Sequence, residues 1–173
     1  MSMCLRGAYI CAACTRLIHL SHFIHAFATP FQAFAILHSA YRDVKPSNIL
    51  VDRAWKVKVC DFGLAVASSS SAGTPNYMAP ELLSGSSYSS KVDVYAFAVV
   101  LNELLARKPP FAGLDCSRVS DLVQNGHRPE LAPMPVELSS LIKQCWHQDA
   151  QQRPDFASIR RSLNKVASVP PSA

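Results

Sequence analysis

Charged residues are scarce in this 173-residue chain, and no stretch carries five or six charges of one sign. Asp, Glu, Lys and Arg make up 17% of the residues, whereas hydrophobic residues make up 49%. This composition excludes a disordered chain and a coiled coil, because both need more charge and less apolar bulk. The net charge of +5 is dispersed, so it gives little support to nucleic-acid binding. The length suits one domain with a sizeable core.

Lysine, aspartate and glutamate are absent from residues 1–35. Residues 17–40 carry no formal charge and are long enough for a membrane helix, but four histidines and Pro30 disfavour a span. Cys11 and Cys14 precede several histidines, yet no second CxxC pair completes a zinc site. We therefore expect neither membrane insertion nor zinc, and we leave residues 1–35 unassigned.

The six cysteines do not form the dense pattern of a small disulfide-stapled domain. Cys60, Cys116 and Cys145 are scattered through apolar segments of a long chain, so we expect them to be buried free thiols. Free thiols persist in a reducing compartment, which predicts a cytoplasmic location.

Hydrophobic periodicity predicts one β-hairpin followed by helices. Residues 48–51 form a short apolar run, and residues 55–60 alternate apolar and basic residues with a period of two. Val92 to Leu105 is apolar almost all round, which is typical of a central buried helix capped by Ser90. Later patterns predict a helix over 117–125 that ends at Gly126, a helix that buries Leu138, Leu141, Ile142, Cys145 and Trp146, and a last helix capped by Asp155 that buries Phe156, Ile159, Leu163 and Val166.

Two acidic motifs flank the predicted hairpin. Asp43 and Lys45 lie on a loop that ends at Asn48, and Asp61 follows Asn48 by thirteen residues. Because a strand–turn–strand of that length brings its ends together, Asn48 and Asp61 should lie close and offer oxygen ligands suited to Mg²⁺. Asp43 could orient an attacking hydroxyl and accept its proton, while Lys45 neutralises a migrating phosphoryl group.

The order and spacing of these motifs resemble the catalytic loop and the metal-binding triplet of protein kinases. The likeness covers about residues 36–163, and it rests on Tyr41-Arg42-Asp43-Val44-Lys45-Pro46-Ser47-Asn48, Asp61-Phe62-Gly63, the segment Gly73 to Glu81, the segment Asp93 to Leu101, Lys108-Pro109-Pro110-Phe111, Cys145-Trp146 and Arg153-Pro154. It implies a kinase-like C-terminal lobe at 36–166, mainly α with a small β-hairpin (α+β by family). The Val-Pro-Pro-Ser stretch near the end of the chain separately predicts a disordered tail at 167–173.

The resemblance also implies a function and roles for individual residues. It implies γ-phosphoryl transfer from ATP, with Mg²⁺, to protein Ser or Thr hydroxyls, and Lys45 with Thr74 resembles the serine/threonine-specific pattern. The Cys-Trp and Arg-Pro pairs look most like the tyrosine-kinase-like group of serine/threonine kinases. The implied roles are catalytic base for Asp43, phosphate contact for Lys45, magnesium ligands for Asn48 and Asp61, activation-segment substrate contact for Thr74, a buried ion pair for Glu81 with Arg153, and support of the catalytic loop for Asp93.

Other residues near the site resemble regulatory parts of the family. The serines Ser68 to Ser71 are either a flexible tether or sites of regulatory phosphates, which order a loop when an arginine is near. Arg42 is the arginine that the family pattern would supply.

The sequence departs from the family pattern at three places. Tyr41 stands where the family has a histidine, and about three residues are missing between the helix end at 36–39 and the loop. The 173 residues contain no G-x-G-x-x-G and no Val-Ala-x-Lys strand upstream of the loop. Since these parts hold the ATP phosphates in kinases, we expect this chain alone to be nearly inactive. The alternatives are a binding or scaffolding fragment and a membrane-anchored regulator.

Overall fold

The computed structural model describes residues 3–4, 40–52, 57–61 and 74–167. Most of these residues are helical, and the strands form one small antiparallel sheet, so the mainly α prediction with a β-hairpin is confirmed. The helices are α1 (Pro80–Leu83), α2 (Lys91–Ala106), α3 (Cys116–Gln124), α4 (Val136–Cys145) and α5 (Phe156–Ala167).

The sheet contains the predicted hairpin and one strand that the sequence did not suggest. Strands β2 (Ile49–Val51) and β3 (Val57–Val59) pair antiparallel, with Ile49 opposite Val59. A two-residue strand β1 (Met3–Cys4) pairs with the other edge of β2, so that Met3 lies opposite Val51. The predicted segment 53–56 lies outside the described residues.

Helix α2 forms the centre of the core. Its residues from Val92 to Asn102 are all buried, as expected for a helix that is apolar on every face. Asn102 is accommodated there because its amide donates to the Glu130 carbonyl at 2.9 Å and accepts from the Ala132 amide at 3.0 Å. Because α2 is buried along most of its length, it can hold the loops that contact its N-terminal end.

Helices α3, α4 and α5 lie on the expected segments and bury the expected faces. Leu138, Leu141, Ile142, Cys145 and Trp146 are buried, as are Phe156, Ile159 and Leu163, whereas Val166 is only half-buried. The Phe97 and Phe156 rings meet edge to face with centroids 5.7 Å apart, which joins α2 to α5.

The helix ends confirm two predicted signals and contradict a third. Asp155 caps α5 by accepting from the Ser158 amide at 2.6 Å, and Gly126 ends α3 with a φ of +86°. The prediction that Ser90 caps α2 is wrong, because Ser90 itself has helical angles and makes no capping bond. Ser89 instead accepts from the Lys91 amide at 3.3 Å.

The described cysteines are free, but the prediction that all three are buried is wrong. Cys145 is buried, Cys60 is half-buried, and Cys116 is exposed because it begins the surface helix α3. In the described ranges, no helix is both long and apolar enough to cross a membrane. The span considered at 17–40, the possible Cys11 and Cys14 site and the tail beyond 167 fall outside these ranges.

Candidate functional site

The site is built on the loop between residue 40 and strand β2, which lies on the N-terminal end of α2. Asp93, in the first turn of α2, accepts hydrogen bonds from the backbone amides of Tyr41 and Arg42, each at 2.7 Å. Arg42 has a φ of +70°, an uncommon conformation for a residue with a side chain, and the Asp93 contacts hold it. The predicted role of Asp93 as a support for this loop has this geometric basis.

The Asp93 carboxyl group is almost fully buried, and this changes its acidity. Burial raises the pKa of Asp93 from 3.8 to about 6, although the Arg42 and Tyr41 amides and the Arg42 charge act in the opposite direction. Two backbone donors on one carboxylate nevertheless keep the loop attached to α2 near neutral pH.

Asp43 lies next along the loop and shares one of its oxygens with two neighbours. Its Oδ2 lies 2.7 Å from Lys45 Nζ and accepts a hydrogen bond from Asn48 Nδ2 at 2.6 Å. Asn48 Nδ2 also donates to the Asp43 carbonyl at 3.0 Å. Among the described residues, Oδ1 of Asp43 has no hydrogen-bond partner, so this oxygen is the one available to accept a proton.

The hairpin brings Asn48 and the segment of Asp61 together. The Cys60 amide donates to the Asn48 carbonyl at 2.9 Å, directly after the Ile49 and Val59 pair. Asp61 follows Cys60, is exposed, and has a φ of +63°, in the left-handed region of the backbone. Phe62 and Gly63 of this triplet lie outside the described residues.

The donor chemistry of this pair fits Mg²⁺. Because Asn48 Nδ2 donates to Asp43, its Oδ1 is the amide atom left to act as a ligand, and the Ser47 hydroxyl lies 3.4 Å from it. Asp61 adds an exposed carboxylate. Mg²⁺ is usually held by one or two carboxylates plus water and phosphate oxygens, so a small donor set suffices. The described part of the chain has no cluster of three or more His, Cys, Asp or Glu side chains for another metal.

Tyr41, which stands where the family has a histidine, is completely buried and contacts the residue before Asp61. Its hydroxyl donates to the Cys60 carbonyl, and its backbone amide is held by Asp93. Burial, followed by the Asp43 charge, raises the pKa of Tyr41, so the hydroxyl stays protonated and keeps its donor role. Tyr41 therefore joins the loop of Asp43 to the strand that precedes Asp61.

Glu81 and Arg153 form a two-bond ion pair across 72 residues of sequence. Arg153 Nη1 and Nη2 donate to Glu81 Oε1 and Oε2 at 2.7 and 2.8 Å. Arg153 is 1% exposed, and it also donates to the carbonyls of His147, Lys91 and Gln148. Such a planar, fully bonded guanidinium fixes α1 against the segment before α5.

Thr74 lies at the edge of the described region, immediately before a 3-10 turn at Pro75–Tyr77. Its side chain makes no capping hydrogen bond, while its carbonyl accepts from the Tyr77 amide at 3.0 Å. The neighbouring Asn76 donates to the Pro110 carbonyl at 2.8 Å, and Tyr77 donates to Glu103 at 2.8 Å. The structure thus anchors the segment after Thr74 to α2 and the turn that follows it, and no hydrogen bond joins Thr74 to Lys45 among the described residues.

Sequence reasoning missed two contacts of the site. Tyr88 accepts a hydrogen bond from Arg42 Nη1 at 2.8 Å, and Lys91 Nζ donates to the Arg153 carbonyl at 2.5 Å. A tyrosine in a serine-rich loop and a lysine at a helix start carry no pattern that distinguishes them from surface residues. They become visible only in the folded structure, where residues 84–91 contact both Arg42 and Arg153.

Comparison with known proteins gives consistent matches. A family model described as a protein kinase domain matches residues 14–163, which begins within the segment left unassigned above. A kinase/receptor of the serine/threonine type from Acanthamoeba polyphaga mimivirus is 40% identical over 132 residues, 73% of this chain and 8% of its own length.

Two relatives from Dictyostelium discoideum are similar. One serine/threonine-protein kinase is 42% identical over 134 residues, which cover 73% of this chain and 15% of the relative. A LIM domain-containing serine/threonine-protein kinase is 40% identical over 141 residues, 76% of this chain and 22% of the relative. The chain thus spans less than a quarter of the length of these curated relatives.

Proposed function

This chain belongs to the protein kinase family, and we propose that it is the C-terminal lobe of a kinase that transfers the γ-phosphoryl group of Mg·ATP to Ser or Thr hydroxyls of proteins. The arrangement of Asp43 is the observation that carries the proposal. One carboxylate oxygen is engaged by Lys45 and Asn48, and the other is open, on a loop held by two bonds to Asp93. A carboxylate so oriented can accept a proton from a hydroxyl group.

The remaining residues take roles that follow from their positions. Lys45 lies 2.7 Å from Asp43, so it can neutralise phosphoryl oxygens next to the attacking hydroxyl. Asn48 Oδ1 and the Asp61 carboxylate would hold Mg²⁺, which when bound supplies positive charge against the phosphate oxygens. Tyr41 and Asp93 hold the two ligand segments in register with the base.

Substrate and group assignments follow from the family pattern. Lys45 and Thr74 support serine or threonine as the acceptor, since the curated relatives above are serine/threonine-protein kinases by name. The Cys145-Trp146 and Arg153-Pro154 pairs support the tyrosine-kinase-like group. The free thiols of the described cysteines support a reducing, cytoplasmic location, and we propose no nucleic-acid or membrane partner.

A single-turnover assay tests the proposal. Excess 173-residue chain is mixed with Mg·ATP labelled in the γ-phosphate and a protein rich in Ser and Thr, and labelled amino acids are identified after hydrolysis. We expect slow transfer to Ser or Thr, and we expect Asp43→Asn to lower it by about 10²- to 10⁴-fold, to background. Asp121→Asn, which alters an exposed carboxylate of α3, is the matched control and should leave the rate unchanged.

The outcomes separate this function from its alternative. Transfer that survives Asp43→Asn would come from another enzyme and would remove Asp43 from the mechanism. Complete absence of Asp43-dependent transfer would favour the scaffolding alternative. That alternative is supported by one observation, namely that the 173 residues contain no glycine-rich phosphate loop.

A further inference from the structure

An exposed loop between α1 and α2 reaches back to the catalytic loop through one tyrosine. Residues 84–89 are all exposed, and Tyr88 within them is 40% exposed. The Tyr88 hydroxyl accepts a hydrogen bond from Arg42 Nη1 at 2.8 Å. The Arg42 guanidinium carbon also lies 5.7 Å from the centre of the Tyr88 ring. A surface side chain is thus in direct contact with the residue before Asp43.

The serines of the same loop do not share this contact. The hydroxyl groups of Ser84 and Ser86 lie 2.8 Å apart, and Ser84 also donates to the Glu81 carbonyl. Ser89 accepts from the amide of Lys91. Within this loop, it is therefore the Tyr88 hydroxyl whose modification would directly change a contact with Arg42.

We propose that Tyr88 is a phosphorylation site and that Arg42 binds the phosphate. A protein tyrosine kinase with Mg·ATP would supply the group. The Tyr88 oxygen forms a bond to the γ-phosphorus, and the bond from that phosphorus to the β–γ bridging oxygen breaks. ADP leaves with the electron pair, and the phenolic proton passes to a base of the modifying kinase.

The surroundings of Tyr88 fit a phosphate group in charge. A phosphotyrosine carries close to two negative charges and three acceptor oxygens, which match the planar fork of an arginine. Tyr88 lines a cavity of about 580 Å³ that is bounded largely by serine and glutamine residues. Two carboxylates also line it, but Glu81 is paired with Arg153, and an oxygen of Asp149 accepts from the Gln151 amide.

The modification should tighten the catalytic loop. At present Arg42 and Tyr88 share one exposed hydrogen bond, which adds little stability. A charge-assisted, two-bond contact in its place would hold Arg42, whose amide is already bound to Asp93, and so would restrain Asp43. Any effect on catalysis rests on the function proposed above, whereas the contact itself does not.

Amide hydrogen exchange on the full 173-residue chain tests the inference without an activity measurement. Chain with phosphotyrosine at position 88 is compared with unmodified chain and with Tyr88→Phe. We expect the amides of Tyr41 and Arg42 to exchange roughly tenfold more slowly or slower still in the phosphorylated chain. In Tyr88→Phe they should exchange as fast as in the unmodified chain or faster. A tyrosine kinase should also label the folded chain at Tyr88 by mass spectrometry.

Variants of Arg42 show whether the phosphate acts through this residue. In Arg42→Gln the slowing should vanish, and in Arg42→Lys, which keeps the charge but loses the fork, it should be partly kept. Equal slowing with and without the Arg42 side chain would overturn the proposal, as would faster exchange after phosphorylation or failure of a tyrosine kinase to label Tyr88. Because none of these measurements reads phosphoryl transfer by this chain, their failure is distinct from failure of the proposed function.

Discussion

Asp93 is the residue through which pH should act on the fold. Its pKa rises from 3.8 to about 6 on burial. A carboxyl group whose pKa is higher in the folded state binds more protons when folded, so its stabilising contribution is present below the unfolded pKa and is lost as pH rises through the folded pKa. As the pH rises from about 4 to about 6, we therefore expect ionisation of Asp93 to reduce the free energy of unfolding by up to about 3 kcal/mol.

Urea unfolding of the chain and of Asp93→Asn across that pH range measures this contribution. The difference in unfolding free energy between the two should shrink as pH rises. Asp155→Asn is a control of opposite sign, because the Ser158 backbone bond lowers the pKa of Asp155, and its contribution should instead be lost as pH falls. A difference for Asp93 that is constant with pH would mean that burial does not control its charge.

Tyr95 carries a polar group with no visible role. Within the part of the chain that the structure describes, its hydroxyl is the one buried side-chain oxygen without a hydrogen-bond partner. The ring makes cation–π contacts, since the guanidinium carbons of Arg128 and Arg153 lie 5.0 and 5.2 Å from its centre. Tyr95→Phe keeps the ring and removes the unpaired hydroxyl, so we expect the free energy of unfolding to be unchanged or raised by about 1 kcal/mol.

Tyr77→Phe is the matched control for this prediction. The Tyr77 hydroxyl donates to Glu103 at 2.8 Å, and burial raises the pKa of Glu103, so loss of the donor leaves a half-buried carboxyl unpaired. The same chemical change should therefore destabilise by about 1–2 kcal/mol there. Urea denaturation of both variants decides, and a loss at Tyr95 as large as at Tyr77 would mean that its hydroxyl has a partner.

At the scale of elements, the Glu81 and Arg153 pair joins α1 to the segment that leads into α5. Arg153 is 1% exposed and gives five hydrogen bonds, two of them to Glu81. Because removal of one partner leaves a buried charge, Arg153→Met should cost about 3–5 kcal/mol. A double-mutant cycle with Glu81→Gln, measured by unfolding, should give a coupling energy of about 1–3 kcal/mol.

Arg161→Met supplies the control for the cycle. Arg161 lies on the exposed face of α5, and within the described ranges its one hydrogen bond is to the Ser158 hydroxyl, at 2.9 Å. Its loss should therefore change stability by less than about 0.5 kcal/mol. If the coupling of Glu81 with Arg153 were zero, α1 would not be docked through this ion pair in solution.

The elements that periodicity predicts are those whose burial is uniform along the segment. Helix α2 and the apolar face of α4 were predictable because their central apolar positions, from Val92 to Leu101 and from Leu138 to Cys145, face the core. The Ser90 cap was not, because either of two adjacent serines could cap, and in the fold Ser90 has helical angles while Ser89 accepts from the Lys91 amide. Strand β1 has two residues, too few for any alternation to register.

The site shows the same division between local and long-range information. Asp43, Lys45 and Asn48 lie within six residues, so their proximity was foreseeable from sequence, and the hairpin register explains the approach of Asp61. The link from Arg42 to Tyr88 crosses 46 residues and depends on how the loop before α2 folds back. No residue type in that loop signals it.

At the scale of the whole molecule, the 173 residues contain some of the motifs that kinases use for phosphoryl transfer and lack others. The residues proposed as base, phosphate contact and metal ligands (Asp43, Lys45, Asn48 and Asp61) are present, but a glycine-rich loop and its partner lysine are not found in the 173 residues. In kinases, positioning and electrostatic stabilisation supply nearly all of the catalysis. Without the contacts of the glycine-rich loop and its partner lysine, we expect ATP to be poorly oriented for in-line attack by the hydroxyl. Weak nucleotide affinity and slow turnover should therefore appear together.

Calorimetric titration of the 173-residue chain with Mg·ATP tests this expectation. We expect a dissociation constant of about 1 mM or weaker, equivalent to roughly 4 kcal/mol of binding free energy, and turnover far below the rates of about 1–100 s⁻¹ that are usual for kinases. Asp61→Asn should weaken the remaining affinity further, because it removes the carboxylate that would hold Mg²⁺, whereas Asp121→Asn on exposed α3 should not. Micromolar affinity together with robust turnover that Asp43→Ala abolishes would show that this chain holds ATP by contacts other than those proposed for Asn48 and Asp61.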